Sequence, residues 1–234
     1  MQQETQYIKP DGGRKMGYNI AIDGPAGAGK STVAKRVAKE LGFVYVDTGA
    51  MYRALAIHFL NKGLRPEETD KIAIACKEAI VTIGYADGMQ QVYLNGENVT
   101  GKLREEAVGN MASVSSAIQE VRAQLLELQR ELARTKDVVM DGRDIGTNIL
   151  PNADVKIYLT ASVETRANRR YKELREKGIP CNLNEIERDI KERDMRDMNR
   201  EIAPLKQADD ALYLDSSNLT IDEVVATIKS FCNL

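Results

Sequence analysis

The sequence predicts an α/β fold: a mostly parallel sheet covered by helices on both faces. Two observations carry this expectation. Short apolar segments alternate with amphipathic ones along most of the chain, the order that builds parallel strand–helix–strand units. Between about 80 and 100 the texture changes, and alternating segments are separated by Asp87-Gly88 and Asn95-Gly96. Such dipeptides are the strongest short-range hairpin signals, so a small three-stranded antiparallel insertion is expected there.

The elements follow in order. Residues 1–17 are polar and aperiodic, which predicts a flexible tail, and they contain no apolar stretch of the kind a secretory signal needs. Residues 18–23 read as a short buried strand, followed by a Gly-rich turn. A helix is expected over 31–41, with Val33, Ala34, Val37, Ala38 and Leu41 on one face and Gly42 as its stop. A second strand covers 43–46, then helices cover 49–60 and 70–80. The antiparallel segments lie at 81–85, 91–94 and up to Val99. Over 117–134, Ile118, Val121, Leu125, Leu128 and Leu132 recur at steps of 3 and 4, a stripe too short for a coiled coil and suited to packing on the core. Strands at 138–141 and 155–159 precede charged helices at 163–177 and 184–200. A last strand covers 211–214, and Thr220 to Glu223 form a capping box for a final helix that turns Val224, Val225 and Ile228 inward.

Composition narrows the function. With 43% hydrophobic and 29% charged residues, the chain can bury a substantial core. Lys+Arg 33 against Asp+Glu 35 leaves a net charge of −2, which argues against a general nucleic-acid partner. No apolar run has the length of a membrane span. His58 is the one histidine, so a multi-histidine metal site is excluded, and its helical apolar neighbours suggest a packing role. Cys76, Cys181 and Cys232 form neither a CxxC motif nor a disulfide framework, which points to the reducing cytoplasm.

The sharpest motif is Gly24-Pro25-Ala26-Gly27-Ala28-Gly29-Lys30-Ser31, which matches GxxxxGK[ST] between an expected strand and an expected helix. Average composition produces such a match about once per hundred chains of this length, and correct flanking structure makes an accident rarer still. The glycines let successive N–H groups converge on a phosphate, and the helix N-terminus adds partial positive charge. Lys30 can reach the β- and γ-phosphates, and the Ser31 hydroxyl can ligate Mg²⁺.

A phosphate loop alone does not separate a kinase from a motor or a regulatory switch. Asp141 ends an apolar strand, where a magnesium-holding carboxylate would stand; spacing leaves an ordinary strand-end aspartate equally open. Of 17 arginines, 12 lie between Arg122 and Arg200. Arg193, Arg196 and Arg200 fall on one helix face, either as a solvated salt-bridged surface or as forks for phosphate oxygens. No general base is evident, although Asp144 and Asp47 stay open for that part. A phosphate acceptor needs none, because its second pKa is about 6.

Four segments resemble the bacterial cytidylate kinase family of nucleoside monophosphate kinases: IDGPAGAGKST at 22–32, DTGAMYRALA at 47–56, DGRDIGT at 141–147 and KERDMRDMNR at 191–200, followed by APL at 203–205. The likeness runs from about 18 to 232. It implies a P-loop core with a five-stranded parallel sheet formed by 18–60 and 137–234, a monophosphate-binding region over 61–136 that holds the antiparallel insertion, and a short helical lid over 170–190. It implies transfer of the γ-phosphoryl of ATP to CMP or dCMP, with Mg²⁺ at Ser31 and Asp141. Residues 24–32, ending in Thr32, would cradle the ATP phosphates. Thr48 and Arg53 would meet the CMP phosphate and sugar; Ser113, Arg122 and Asp144 the cytosine; Arg193, Asp197 and Arg200 the sugar, phosphate and transfer site; Arg143 a further phosphate oxygen. Lys30, Arg143, Arg193 and Arg200 would serve the transfer itself, and one of Arg166, Arg169 and Arg170 would lie against the ATP base. The implied protein is a cytoplasmic monomer that binds neither nucleic acid nor membrane. Another small-acceptor kinase, for uridylate or shikimate, and a nucleotide-dependent switch are the alternatives.

Overall fold

A computed structural model describes residues 17–232; the tail expected over 1–17 lies, except for Gly17, outside the described residues. The chain runs β1 (Asn19–Asp23), α1 (Lys30–Leu41), β2 (Val44–Asp47), α2 (Thr48–Asn61), α3 (Thr69–Ala75), β3 (Val81–Ala86), β4 (Met89–Leu94), β5 (Glu97–Asn98), α4 (Glu106–Ser115), α5 (Gln119–Thr135), β6 (Val138–Gly142), β7 (Val155–Thr160), α6 (Val163–Glu176), α7 (Leu183–Asn199), β8 (Leu212–Asp215) and α8 (Ile221–Ser230).

Five strands form one sheet in the order β2-β6-β1-β7-β8, every neighbouring pair parallel. Alternation splits the core between its two faces. Ile20, Ile22 and Val139 pack against Val33 and Val37 of α1 and Val224, Val225 and Ile228 of α8. Ala21, Val138 and Met140 face Met51 and Leu55 of α2 and Val121 and Leu125 of α5. That second layer continues into Val92 and Leu94 of the insertion, so the antiparallel sheet β3-β4-β5 shares its core.

The hairpin signals are realised as expected. Asp87 and Gly88 have φ of 51° and 73°, and Asn95 and Gly96 have 49° and 85°, the left-handed pairs that tight hairpins require. Gly42 ends α1 at φ 73°. The capping box at Thr220 and Glu223 is complete.

Three elements depart from expectation. The helix expected over 70–80 ends at Ala75 and tightens into a 3₁₀ turn, Cys76–Glu78. Helix α4 was not legible: Val108, Met111 and Ala112 keep helical spacing over little more than one turn, and Gly109 and Asn110 are poor helix formers. After β6 the chain forms a π-turn, Ile145–Ile149, a wide i→i+5 coil with no periodic signature. His58 is buried within α2, and the three cysteines are free. Among the described residues no helix is long and apolar enough to cross a membrane.

Candidate active site

In an open parallel sheet, ligands bind beyond the C-terminal strand ends, where the connections diverge from a central strand. Here β1 is central. The phosphate loop follows it, Thr48 follows β2, and Arg143 and Asp144 follow β6. All of them border one cleft of ≈ 590 Å³.

The loop is shaped by glycine conformation. Gly24 has φ 149°, and a Cβ there would lie 1.9 Å from the carbonyl oxygen of Leu159. Gly29 has φ 89° and starts α1 in the left-handed region. Lys30 is buried, and its Nζ donates to the Pro25 carbonyl across the loop at 2.7 Å. Burial, and then the charge of Arg143, push its pKa well down.

Asp141 is held from two sides. Ser31 Oγ donates to its Oδ2 and the Tyr45 hydroxyl to its Oδ1, both at 2.9 Å. Burial, and then the Asp47 charge, push its carboxyl up to about 6. The Ser31 hydroxyl and Asp141 carboxylate are hard oxygen donors beside a phosphate loop. Magnesium suits such a pair, since it takes one or two carboxylates and completes its shell with phosphate oxygens and water.

Across the cleft, cations outnumber their partners. Among the described residues, Arg53, Arg104 and Arg193 border the cleft and form no ion pair. Arg193 Nε is buried without a hydrogen-bond partner, and burial, then the charge of Arg143, push this guanidinium down to about 10. Uncompensated guanidiniums in a partly buried cleft favour an anion. Arg143 Nε donates to Asp197 Oδ2 at 2.8 Å, tying β6 to α7. Thr48, which also borders the cleft, donates from Oγ1 to the Asp141 carbonyl at 2.8 Å.

Beside the guanidiniums lies a polar pocket. Arg122 is 7% exposed, so it is not a surface arginine. Its guanidinium pairs with Asp144, donates to the Ser116 carbonyl at 3.1 Å and lies over the Tyr52 ring. Arg200 donates to Asp144 Oδ1 at 3.2 Å and to the Ala203 carbonyl at 2.6 Å, and Asn148 Nδ2 donates to Asp144 Oδ2 at 3.1 Å. Ser113 Oγ is buried there with no partner, leaving one hydroxyl free for a ligand.

The cytidylate kinase family matches residues 20–233. The chain belongs to this family. A cytidylate kinase of Caldicellulosiruptor saccharolyticus is 50% identical over 210 residues, covering 90% of this chain and 93% of that protein. A cytidylate kinase of Lactobacillus johnsonii is 49% identical over 219 residues, covering 92% and 95%. Among solved structures, an uncharacterized protein from Eubacterium ventriosum shares the fold at a TM-score of 0.50 and 13% identity, covering 92% of this chain and 97% of that one.

Within this member of the family, the sequence-selected residues Lys30, Ser31, Thr48, Arg53, Ser113, Arg122, Asp141, Arg143, Asp144, Arg193, Asp197 and Arg200 all border the one cleft. Arg196 shares the helix face of Arg193 and Arg200 but is exposed and borders only the neighbouring groove. The three arginines of α6 differ in kind. Arg166 is buried, pairs with Asp194 and donates to the Ala26 carbonyl at 3.0 Å, so it braces the loop. Arg169 donates to the Ser216 carbonyl at 2.8 Å, and exposed Arg170 pairs with Glu173. Sequence reasoning missed Asp23, Tyr45, Tyr52, Gln90, Arg104 and Asn148. Only Asp23 had a signal, its place directly before the loop.

Proposed function

We propose that the chain catalyses ATP + CMP (or dCMP) → ADP + CDP (or dCDP). The observation that carries this reading is the set of guanidiniums without carboxylate partners, Arg53 and Arg193, facing the phosphate loop across one cleft. A switch needs a nucleotide loop but no second anion site. Membership of the cytidylate kinase family supplies the acceptor.

The chemistry follows from these parts. The acceptor is a phosphate monoester, largely ionised at neutral pH, so no base need remove a proton. This agrees with the aspartates of the cleft: Asp47, Asp141, Asp144 and Asp197 each already accept hydrogen bonds from protein donors. Arg53 and Arg193 hold the acceptor phosphate, with Arg143 and Thr48 beside them. One acceptor oxygen bonds to the γ-phosphorus while its bond to the ADP oxygen breaks. Negative charge on the transferring group meets Lys30 from the donor side and Arg193 from the acceptor side. Residues 24–32 hold the donor phosphates. Magnesium at Ser31 and Asp141, when bound, neutralises charge on them and orients the chain of phosphates.

Arg122 and Asp144 suit cytosine. A guanidinium matches the acceptors O2 and N3, and a carboxylate or hydroxyl matches the 4-amino group, whereas uracil reverses N3 and position 4. The connection between α6 and α7 acts as a lid over 170–190. Closing it excludes water, so CMP receives the phosphoryl group. One chain carries donor loop, acceptor arginines and base pocket, which suits a monomer, and its free cysteines suit the cytoplasm.

The test is ADP release with ATP, Mg²⁺ and each of CMP, dCMP, UMP, AMP and GMP. Efficient turnover with the cytidylates alone is expected. Turnover restricted to UMP would favour a uridylate kinase, and tight nucleotide binding with no transfer would favour a switch.

A further inference from the structure

The residue before the phosphate loop does work that neither phosphate binding nor base contact requires. Asp23 ends β1, is 6% exposed and does not border the cleft. Its two carboxylate oxygens accept from two consecutive backbone N–H groups of a segment 122 residues away: Ile145 N at 2.8 Å and Gly146 N at 2.7 Å. A Cβ at Gly146 would lie 3.5 Å from Asp23 Oδ2, in ordinary contact, and 3.1 Å from Lys156 Cδ of β7, so the turn is seated against the ends of β1 and β7.

Those two N–H groups open the π-turn, and the residue at its cap position is Asp144. Aspartate at such a position ordinarily folds its side chain back onto the second or third N–H of its own turn. Asp144 does not: its side chain makes no capping bond and instead meets Arg122, Arg200 and Asn148 at the base pocket. Of the two N–H groups it could otherwise take, that of Gly146 is already held by Asp23. The capping duty has passed from the local aspartate to a distant one, which frees the local one for the pocket.

We propose that Asp23 is a positioning residue for base selection: by capping the 145–149 turn from β1, it keeps the Asp144 carboxylate turned into the pocket and off its own backbone. The proposal deepens the cytidylate reading and rests on it. It also makes one residue, joined to the donor loop by a single peptide bond, part of the acceptor's selectivity.

The experiment compares kcat/KM for CMP and UMP, and KM for ATP, in wild type, Asp23→Asn, Asp144→Ala and the double variant. Asparagine is nearly isosteric but can cap only one of the two N–H groups, and its amide turns donors toward the other. We expect Asp23→Asn to lower CMP efficiency about tenfold or more and UMP efficiency less, with the ATP KM within about threefold. In the Asp144→Ala background, Asp23→Asn should leave the CMP:UMP ratio unchanged, because the two residues act through one group. Equal losses for CMP and UMP, or the same narrowing of the ratio with and without Asp144, would overturn the proposal and make Asp23 a general brace of the turn. Should Asp23→Asn not fold, Asp23→Ser, which keeps one acceptor, is read by the same ratio. A wild-type enzyme indifferent to the base overturns the cytidylate reading itself, visibly and before any variant is made, and the proposal falls with it.

Discussion

The proposed donor loop and acceptor pocket border one cleft and are built in opposite ways. The donor side is one contiguous run, residues 24–32, whose binding groups are chiefly backbone N–H dipoles and one lysine. The acceptor side draws single side chains from α2, α4, α5, the segment after β6, and α7. The first is shaped by left-handed glycines and one helix end. The second is shaped by buried pairs that cross the fold, Arg122 with Asp144 and Arg143 with Asp197. A loop of backbone dipoles changes little when a side chain is altered. A pocket of interlocked side chains passes each alteration on to its neighbours. The two sides should therefore answer mutation differently.

The largest effect is expected on the donor side, at the one side chain the loop depends on. Lys30→Ala should lower kcat on the order of 10²–10³-fold while the CMP KM moves little, because a transition-state contact is lost and the backbone cradle persists. Steady-state ADP release checks this, and a rise in CMP KM with kcat intact would place Lys30 on the wrong side of the comparison. Next comes Arg193→Ala, expected to cost about 10²-fold in kcat/KM for CMP, with the ATP KM nearly unchanged and the circular dichroism spectrum intact. A small change would return α7 to a solvated, salt-bridged helix.

A third, smaller effect concerns selectivity. Wild type should prefer CMP over UMP by at least about tenfold in kcat/KM, and Arg122→Met should narrow that gap, chiefly by harming CMP. Its buried guanidinium also holds Asp144, so the loss should couple to Asp144→Ala rather than add to it. Full additivity would mean that the pocket is not interlocked and that its two sides behave alike.

The same contrast explains what could be read in the chain. The donor loop was legible because its physics is local: a glycine spacing, a lysine and a helix start fix it without reference to anything distant. The parallel sheet and both hairpin turns were legible for the same reason, through alternation and the left-handed Asp87-Gly88 and Asn95-Gly96 pairs. Arg122 was ambiguous, since an arginine on a long amphipathic helix is ordinarily solvated. Only the fold shows it buried over the Tyr52 ring, against a carboxylate 22 residues on. Resemblance to the family selected it where periodicity could not. Asp23, Tyr45 and Gln90 act through partners 122, 96 and 43 residues distant; nothing near Tyr45 or Gln90 marks them, and Asp23 shows only its place directly before the loop. Helix α4, which carries Ser113, was lost because its apolar stripe is short and Gly109 and Asn110 lower its helix propensity.

Gln90 tests how far the interlocking of the acceptor side extends. It lies on β4 of the insertion, outside the cleft, yet its amide grips the end of β2 in both directions. Asp47 N donates to Gln90 Oε1 at 2.8 Å, and Gln90 Nε2 donates to the Asp47 carbonyl at 3.2 Å, as a neighbouring strand would. The Tyr85 hydroxyl adds a bond to the Tyr45 carbonyl at 3.1 Å. Asp47 in turn caps α2 by accepting from Ala50 N at 2.9 Å, and Thr48 and Arg53 ride on that helix. Two neutral, half-buried hydrogen bonds are worth about 1–2 kcal/mol together, so Gln90→Ala should lower the melting temperature by about 2–8 °C. If the insertion also aims the start of α2, the CMP KM should rise about threefold while the ATP KM and the CMP:UMP ratio hold, since the proposed mechanism assigns Thr48 and Arg53 to the phosphate and not the base. Gln90→Glu should be worse than alanine for both readouts. It keeps the acceptor for Asp47 N but sets a carboxylate oxygen against the Asp47 carbonyl, near a second negative charge. A fall in melting temperature with an unchanged CMP KM would confine the insertion to stability and draw the boundary of the acceptor site at α2.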